Sequence, residues 1–251
     1  MQNDTNMKNN KASGFTLIEL SIVLIIIGLI IGGILAGQEL IKSAEARGIM
    51  GQLDKYAAAV NAFRLKYDAL PGDFAKANTM LTGAPTQGDG NGIIATGTPT
   101  GTNKVQHNLE ELLFWSHLSI INVVEGSYTG SFTGGVNAGT QIPYLKNNRG
   151  GLLVYGSDDS INYYHLGIAS VNGTGAAASA ISTAGVLLPD TAYAIDNKID
   201  DGVADKGIVR AMAGIDTVPT FAATACTVTN AATYNLVNTP GYVCQLRYRM
   251  P

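Results

Sequence analysis

Charge is scarce in this sequence. Asp, Glu, Lys and Arg make up 14% of its 251 residues, where soluble globular chains carry about 25%. The balance of −3 gives no general attraction to nucleic acid, whose binding domains show a basic face and a pI above about 9. Cysteine is nearly absent: two residues exclude a zinc ribbon, an iron–sulfur cluster and any Cys-x-x-Cys redox pair, and leave one disulfide or two thiols. The three histidines, His107, His117 and His165, lie among apolar or aromatic neighbours, and none sits in an HExxH arrangement. They read as core or surface histidines. Ser157 lacks the Gly-x-Ser-x-Gly elbow of hydrolases, and no Gly-rich loop carries the Lys-Ser/Thr pair of a phosphate cradle. Thirty glycines and 8 prolines are too few for a collagen-like or wholly disordered chain.

The mean hydropathy is nevertheless positive, +0.14, and the excess sits in one block. A polar leader, Met1 to Gly14, holds Lys8, Lys11 and one acid, Asp4. Beyond it, Leu20 to Ala36 contains a single polar residue, Ser21. As a helix, the 20 residues from Leu17 to Ala36 would span roughly 30 Å, the thickness of a hydrocarbon core. Lysines ahead of the run favour a cytoplasmic N-terminus. The run is longer than the roughly 7–15 residues of a secretory signal and no A-x-A-like cut site follows it. Glu19 lies inside it, where a mid-membrane charge costs roughly 3 kcal/mol and normally has a partner. If the chain were cut after Gly14, the new amine of Phe15 on a neighbouring subunit would supply one, and the pair would set the stagger between identical helices. The alternative is a carboxylate that snorkels to the membrane edge or is protonated.

Lys11-Ala12-Ser13-Gly14-Phe15-Thr16-Leu17-Ile18-Glu19-Leu20, set directly before this run, resembles the class III prepilin signal of type IV pilins and type II secretion pseudopilins. The resemblance covers about the first fifth of the chain. It implies an α+β, pilin-like fold, with a long N-terminal helical spine packed on a small antiparallel sheet head. It also implies a leader at 1–14, a transmembrane and filament-core helix at 15–37, and a periplasmic or extracellular head at 38–251. A prepilin peptidase would cut between Gly14 and Phe15 and methylate Phe15, and Glu19 would govern incorporation into the filament. The implied partners are further copies of the chain, other minor pilins or pseudopilins, the membrane, and an inner-membrane platform with its assembly ATPase. Nucleic acid is not among them. The family commonly has a proline 22 residues into the mature chain, where this sequence has Ala36. Gly28, Gly32, Gly33 and Gly37 could supply the same local weakness, since each mid-helix Gly costs about 1 kcal/mol relative to Ala.

Beyond Gly37 the pattern stays helical and becomes amphipathic. Ile49, Leu53, Tyr56, Val60, Phe63 and Tyr67, spaced 4, 3, 4, 3 and 4, form one apolar stripe. A helix from Phe15 to about Asp68 would be roughly 80 Å long. Leu70-Pro71-Gly72-Asp73 ends it, in a stretch similar to the one after the long helix in many pseudopilin-like sequences. Asp73 is a candidate N-cap for a short helix, Phe74 to Leu81. A loop from Thr82 to Asn103 leads to a second helix, His107 to Ile121, and Asn122 to Asn148 reads as loop. Gly151–Tyr155, Ile161–Ala169, Ile208–Met212 and Tyr242–Tyr248 read as short antiparallel strands, and the Gly/Ala tract Asn172 to Ala180 as an exposed loop.

Cys226 and Cys244 are 18 positions apart, on the side of the membrane that the leader lysines assign to an oxidising compartment, which favours a disulfide. Such a bridge is worth about 3 kcal/mol in the chain-entropy model, and the pilin resemblance points the same way. The acid-rich stretch Asp190 to Asp205 is a candidate Ca²⁺ site through Asp196, Asp200, Asp201 and Asp205 with the carbonyls near Gly202 and Gly207. Major pseudopilins bind calcium in a C-terminal loop. Against an EF-hand the stretch fails, because Lys198 takes a ligand position; the plain reading is an Asp/Gly turn with Lys198 and Lys206 as counter-ions. Gly88-Asp89-Gly90-Asn91-Gly92 is a second candidate, or a flexible loop tip. Arg247 and Arg249 lie two apart on a strand, face one side, and suit a small anion or partner contact. The expectation is a filament subunit and not an enzyme, the competing class being a pilin-like exported binding protein, such as a tip adhesin or DNA-uptake receptor.

Overall fold

The computed structural model describes residues 14–94, 110–131, 136–156, 160–168, 170–171, 185–212, 226–228, 232–237 and 241–251. The leader ahead of Gly14, His107, Ser157 and the Gly/Ala tract lie outside them. The chain divides into two compact units, Met1–Ile41 and Lys42–Pro251, and helix α1 (Leu17–Tyr67, 51 residues) contributes to both.

In the first unit α1 is uninterrupted through Gly28, Gly32, Gly33 and Gly37, and a Cβ at any of them would meet nothing within 4 Å. The apolar side chains are exposed, with Leu17 at 87% and Leu29 at 73% of their surface. Among the described residues, one helix, α1, is long and apolar enough to cross a membrane.

The second unit is an α+β fold. It holds the C-terminal part of α1, then α2 (Ala77–Met80), α3 (Glu110–Ile120), β1 (Val136–Asn137), β2 (Gly151–Gly156), β3 (Asn162–Ile168), β4 (Ser170–Val171), α4 (Pro189–Ile199), β5 (Val209–Met212) and β6 (Gln245–Arg249). Four strands form an antiparallel sheet in the order β2-β3-β6-β5, and β1 and β4 pair separately. The apolar stripe of α1 does what its spacing predicts: Ile49, Leu53, Val60 and Phe63 are buried, and Tyr56 and Tyr67 pack against the core. α3 is buried all round from Glu110 to Leu118, with Leu112, Leu113, Phe114, Trp115 and Leu118 fully buried, as expected of a helix packed on more than one side. Tyr56 of α1 meets Trp115 edge-on at 4.8 Å, Phe63 stacks on His117 at 6.2 Å, and Phe114 meets Tyr164 of β3 at 6.3 Å. The sheet face with Leu152, Val154, Tyr164, Leu166, Leu246, Val209 and Ala211 thus closes the core.

α1 stops at Asp68, which takes a left-handed conformation (φ 51°) tolerated by Asp. Gly72 follows with φ 86°, and a Cβ there would lie 2.5 Å from the Glu110 carbonyl oxygen. Only glycine lets this turn seat against α3, whose last turn accepts the Gly72 N–H at Nδ1 of His117, 3.0 Å away.

Three expectations are corrected. Asp73 does not cap α2, which begins after Lys76 with no side-chain cap. The Gly88–Gly92 segment is no loose tip, because it wraps the buried Asp73 carboxylate, whose Oδ1 accepts the N–H groups of Gly90 and Asn91 and whose Oδ2 accepts that of Gly92, at 2.7–2.9 Å. Three backbone donors outcompete a one-turn helix for this acid. Finally, Asp190 to Asp205 is not a continuous turn: its first half is α4, with Pro189 in the first turn and apolar Ala192 and Ile195 buried.

Candidate functional site

The start of α1 is built by Thr16 and Glu19. The Thr16 carbonyl accepts the Leu20 N–H at 3.3 Å, which makes Thr16 the residue that caps the helix. Its hydroxyl accepts the Glu19 N–H at 3.3 Å, while Glu19 Oε2 accepts both the Thr16 N–H and the Thr16 hydroxyl at 2.8 Å. This is a capping box, two orphan helix donors satisfied reciprocally. Sequence reading weighed Glu19 against the membrane and a neighbouring amine and missed this partner, although Thr-x-x-Glu ahead of an apolar run is the signature. With the Gly14–Phe15 bond intact, the carboxylate therefore already has donors within its own first turn. Phe15 next to it is 85% exposed.

Twenty-seven residues span this segment. The family model described as the prokaryotic N-terminal methylation motif matches residues 9–35. This chain carries a prokaryotic N-terminal methylation motif. The match runs from the polar leader through Gly14, Phe15 and Glu19 into the exposed apolar part of α1, and it fits the type IV pilin and pseudopilin resemblance. The methylation motif marks a substrate of the processing peptidase, a structural type of chain rather than an enzyme family. No curated protein and no solved structure matches the chain.

At the other end of the chain, Cys226 and Cys244 are joined by a disulfide with a Cα separation of 5.0 Å. The Cys244 backbone pairs with Leu187, just ahead of α4, and Thr227 pairs with Tyr234. The bridge thus pins Cys226, next to the Thr227–Tyr234 pair, to the leading end of β6.

Of the four acids proposed for calcium, Asp196, Asp200 and Asp201 each offer an oxygen within 4.8 Å of the others, and Asp205 is not in the group. Asp196 is fully buried; its Oδ2 accepts the Tyr234 hydroxyl at 2.8 Å and its Oδ1 the Gly202 N–H at 3.3 Å. Burial pushes this carboxyl up to about 6, against the pull of those two donors, and the charges of Asp201 and Asp200 add to the rise. Asp200 accepts the N–H groups of Ile208 and Val209, and Asp201 that of Val203. Asp73, Asp89 and Glu110 form a second such group, in which Glu110 Oε1 accepts the Asp89 N–H at 2.8 Å.

His117 and His165 are both fully buried, and burial pulls each down to about 4. They are neutral side chains of the core at neutral pH.

Proposed function

We propose that this chain is a structural subunit of a type IV pilus-like filament, either a type II secretion pseudopilin or a type IV pilin. The methylation motif lying on an apolar helix with no partner in its own unit carries the reading. In it, residues 1–14 are the leader, 15–37 the membrane and filament-core segment, and 38–251 the exported head. Prepilin peptidase cuts between Gly14 and Phe15 and methylates the new amine. Before assembly the chain is a single-pass protein of the inner membrane. The helix then leaves the bilayer for an equally apolar bundle of its own copies, so each exposed Leu or Ile keeps the roughly 1.5–3 kcal/mol that burial is worth to it. Other pilin-like subunits, the platform protein and the ATPase are the partners this process needs. Glu19 exchanges part of its capping box for the amine of a neighbour and thereby fixes the stagger. Calcium at Asp196, Asp200 and Asp201 belongs to the same reading.

The test is mass spectrometry of the mature N-terminus together with filament recovery for wild type and Glu19→Ala. A chain that starts at a methylated Phe15, with filaments lost or disordered in the variant, is expected. A chain that keeps residues 1–14 and is indifferent to Glu19 would leave the exported binding protein as the better reading.

A further inference from the structure

The sheet has a second face, turned away from α3. Strand register places Arg210 of β5 directly opposite Arg247 of β6, Arg247 directly opposite His165 of β3, and Arg249 opposite Tyr163. Directly paired side chains sit about 5 Å apart at Cβ, and like charges in that position are destabilising. Three arginines and a histidine therefore occupy neighbouring positions on this face, where His165 is fully buried and Arg249 exposed. None of the three arginines has a carboxylate within 4.0 Å among the described residues.

Two polar atoms in this area are buried without a hydrogen-bond partner among the described residues: Arg247 Nε and His165 Nδ1. The role of each follows from its neighbours. The Gln245 amide donates through Nε2 to the Gly167 carbonyl at 3.2 Å, which turns its Oε1 toward His165 Nε2, also at 3.2 Å. Nε2 therefore carries the imidazole proton, and Nδ1 is an acceptor in search of a donor. Arg247 Nε is a charged donor in search of an acceptor. Its guanidinium lies 4.7 Å over the Tyr163 ring, which holds it in place. Arg210 is held by its own bond from Nε to the Gly207 carbonyl at 3.1 Å. A buried charged donor left unsatisfied costs more than a neutral one, and two opposed arginines add to that cost. A ligand that relieves both must present negative oxygens to the arginines and one O–H to the histidine.

We propose that this face is an oxyanion site selective for hydrogen phosphate, in which Arg247 and Arg210 take the charged oxygens and His165 Nδ1 accepts the P–O–H hydrogen. Arg249, exposed beside them, draws the anion in. Sulfate matches the size and charge but has no hydrogen to offer at neutral pH, so it meets the Nδ1 lone pair with a lone pair of its own. The inference concerns the head alone and stands apart from filament assembly.

The test is calorimetric titration of the full-length chain in non-ionic detergent at pH 7.5 and fixed ionic strength, with inorganic phosphate and, separately, sulfate. Phosphate is expected to bind at least about tenfold more tightly than sulfate, the value of one hydrogen bond to a charged group. Arg247→Gln should weaken phosphate by about tenfold or more. Arg210→Gln, on the edge strand, should weaken it with far-UV circular dichroism unchanged, which keeps the test decisive if the Arg247 variant folds poorly. Glu19→Ala should leave phosphate binding as it is. Equal affinity for the two anions, wild-type binding by the Arg210 and Arg247 variants, or no binding at all would overturn the proposal.

Discussion

Replacing Asp196 by Asn should make the head more stable at pH 8, and the gain should vanish by pH 4. The carboxyl is fully buried and held at about 6, against an unfolded value of about 3.9. A folded pKa above the unfolded one means that the associated stability is fully present below about pH 4 and is lost as pH rises through 6. Two pKa units correspond to about 3 kcal/mol. The amide keeps both contacts, since its oxygen can face the Gly202 N–H and its N–H can donate to the Tyr234 oxygen. Allowing for imperfect geometry, the expected gain at pH 8 is between about 1 and 3 kcal/mol, or roughly 3–10 °C in Tm for a unit of this size. Thermal unfolding of wild type and Asp196→Asn, from pH 4 to pH 8 in EDTA, measures it. The difference between the two chains matters, because the buried histidines titrate in the same range and cancel in it. A variant less stable than wild type at pH 8, or a difference that does not change with pH, would refute the argument. The same pair of chains reads the calcium proposal. If Ca²⁺ binds Asp196, Asp200 and Asp201, it holds the carboxylate ionised, and saturating Ca²⁺ raises the Tm of wild type but not of Asp196→Asn.

The remaining predictions concern other buried groups and the helix start. His117 and His165 are each held at about 4 by burial, below the unfolded value of about 6.5, so stability is full above pH 6.5 and falls as pH drops toward 4, by about 3 kcal/mol for each. His165→Gln should flatten the fall by about half, and an unchanged pH profile would count against a neutral buried imidazole. Asp73→Ala strips the acceptor from three backbone donors and should cost roughly 3 kcal/mol, with faster proteolysis between Gly88 and Gly92; cleavage at the wild-type rate would show that the loop does not depend on the carboxylate. Thr16→Ala should cost about 1 kcal/mol at the helix start and speed amide exchange at Leu17 to Leu20. Glu19→Gln should preserve protection there, and equal exchange in all three chains would rule out the capping box.

Periodicity carried the reading furthest where each residue's environment repeats along the chain. The stripe from Ile49 to Tyr67 lies on the core side of α1, and all four long-strand segments pair antiparallel. Observed boundaries differ by a few residues: the last strand runs Gln245–Arg249 against an expected Tyr242–Tyr248, and α2 runs Ala77–Met80 against Phe74–Leu81, each starting three residues late. α4 escaped notice because Pro189, two acids and a lysine made its stretch look like a turn, while its apolar side is only Ala192 and Ile195 wide. The two paired residues of β1 and β4 are too short to leave any pattern.

What the sequence determined by itself is the processing signal and the spine. Gly14-Phe15 with Glu19 ahead of an unbroken apolar run is a local message, written in consecutive residues, and a helix satisfies its backbone within the segment. Assigning partners to polar groups was beyond it. Asp73 is bound by a loop 17–19 positions away, Asp196 by a tyrosine 38 positions away, and Arg247 stands beside His165, 82 positions earlier in the chain. A polar side chain is satisfied by whatever donor the fold brings to within about 3 Å, and nothing in its own neighbourhood along the chain specifies which.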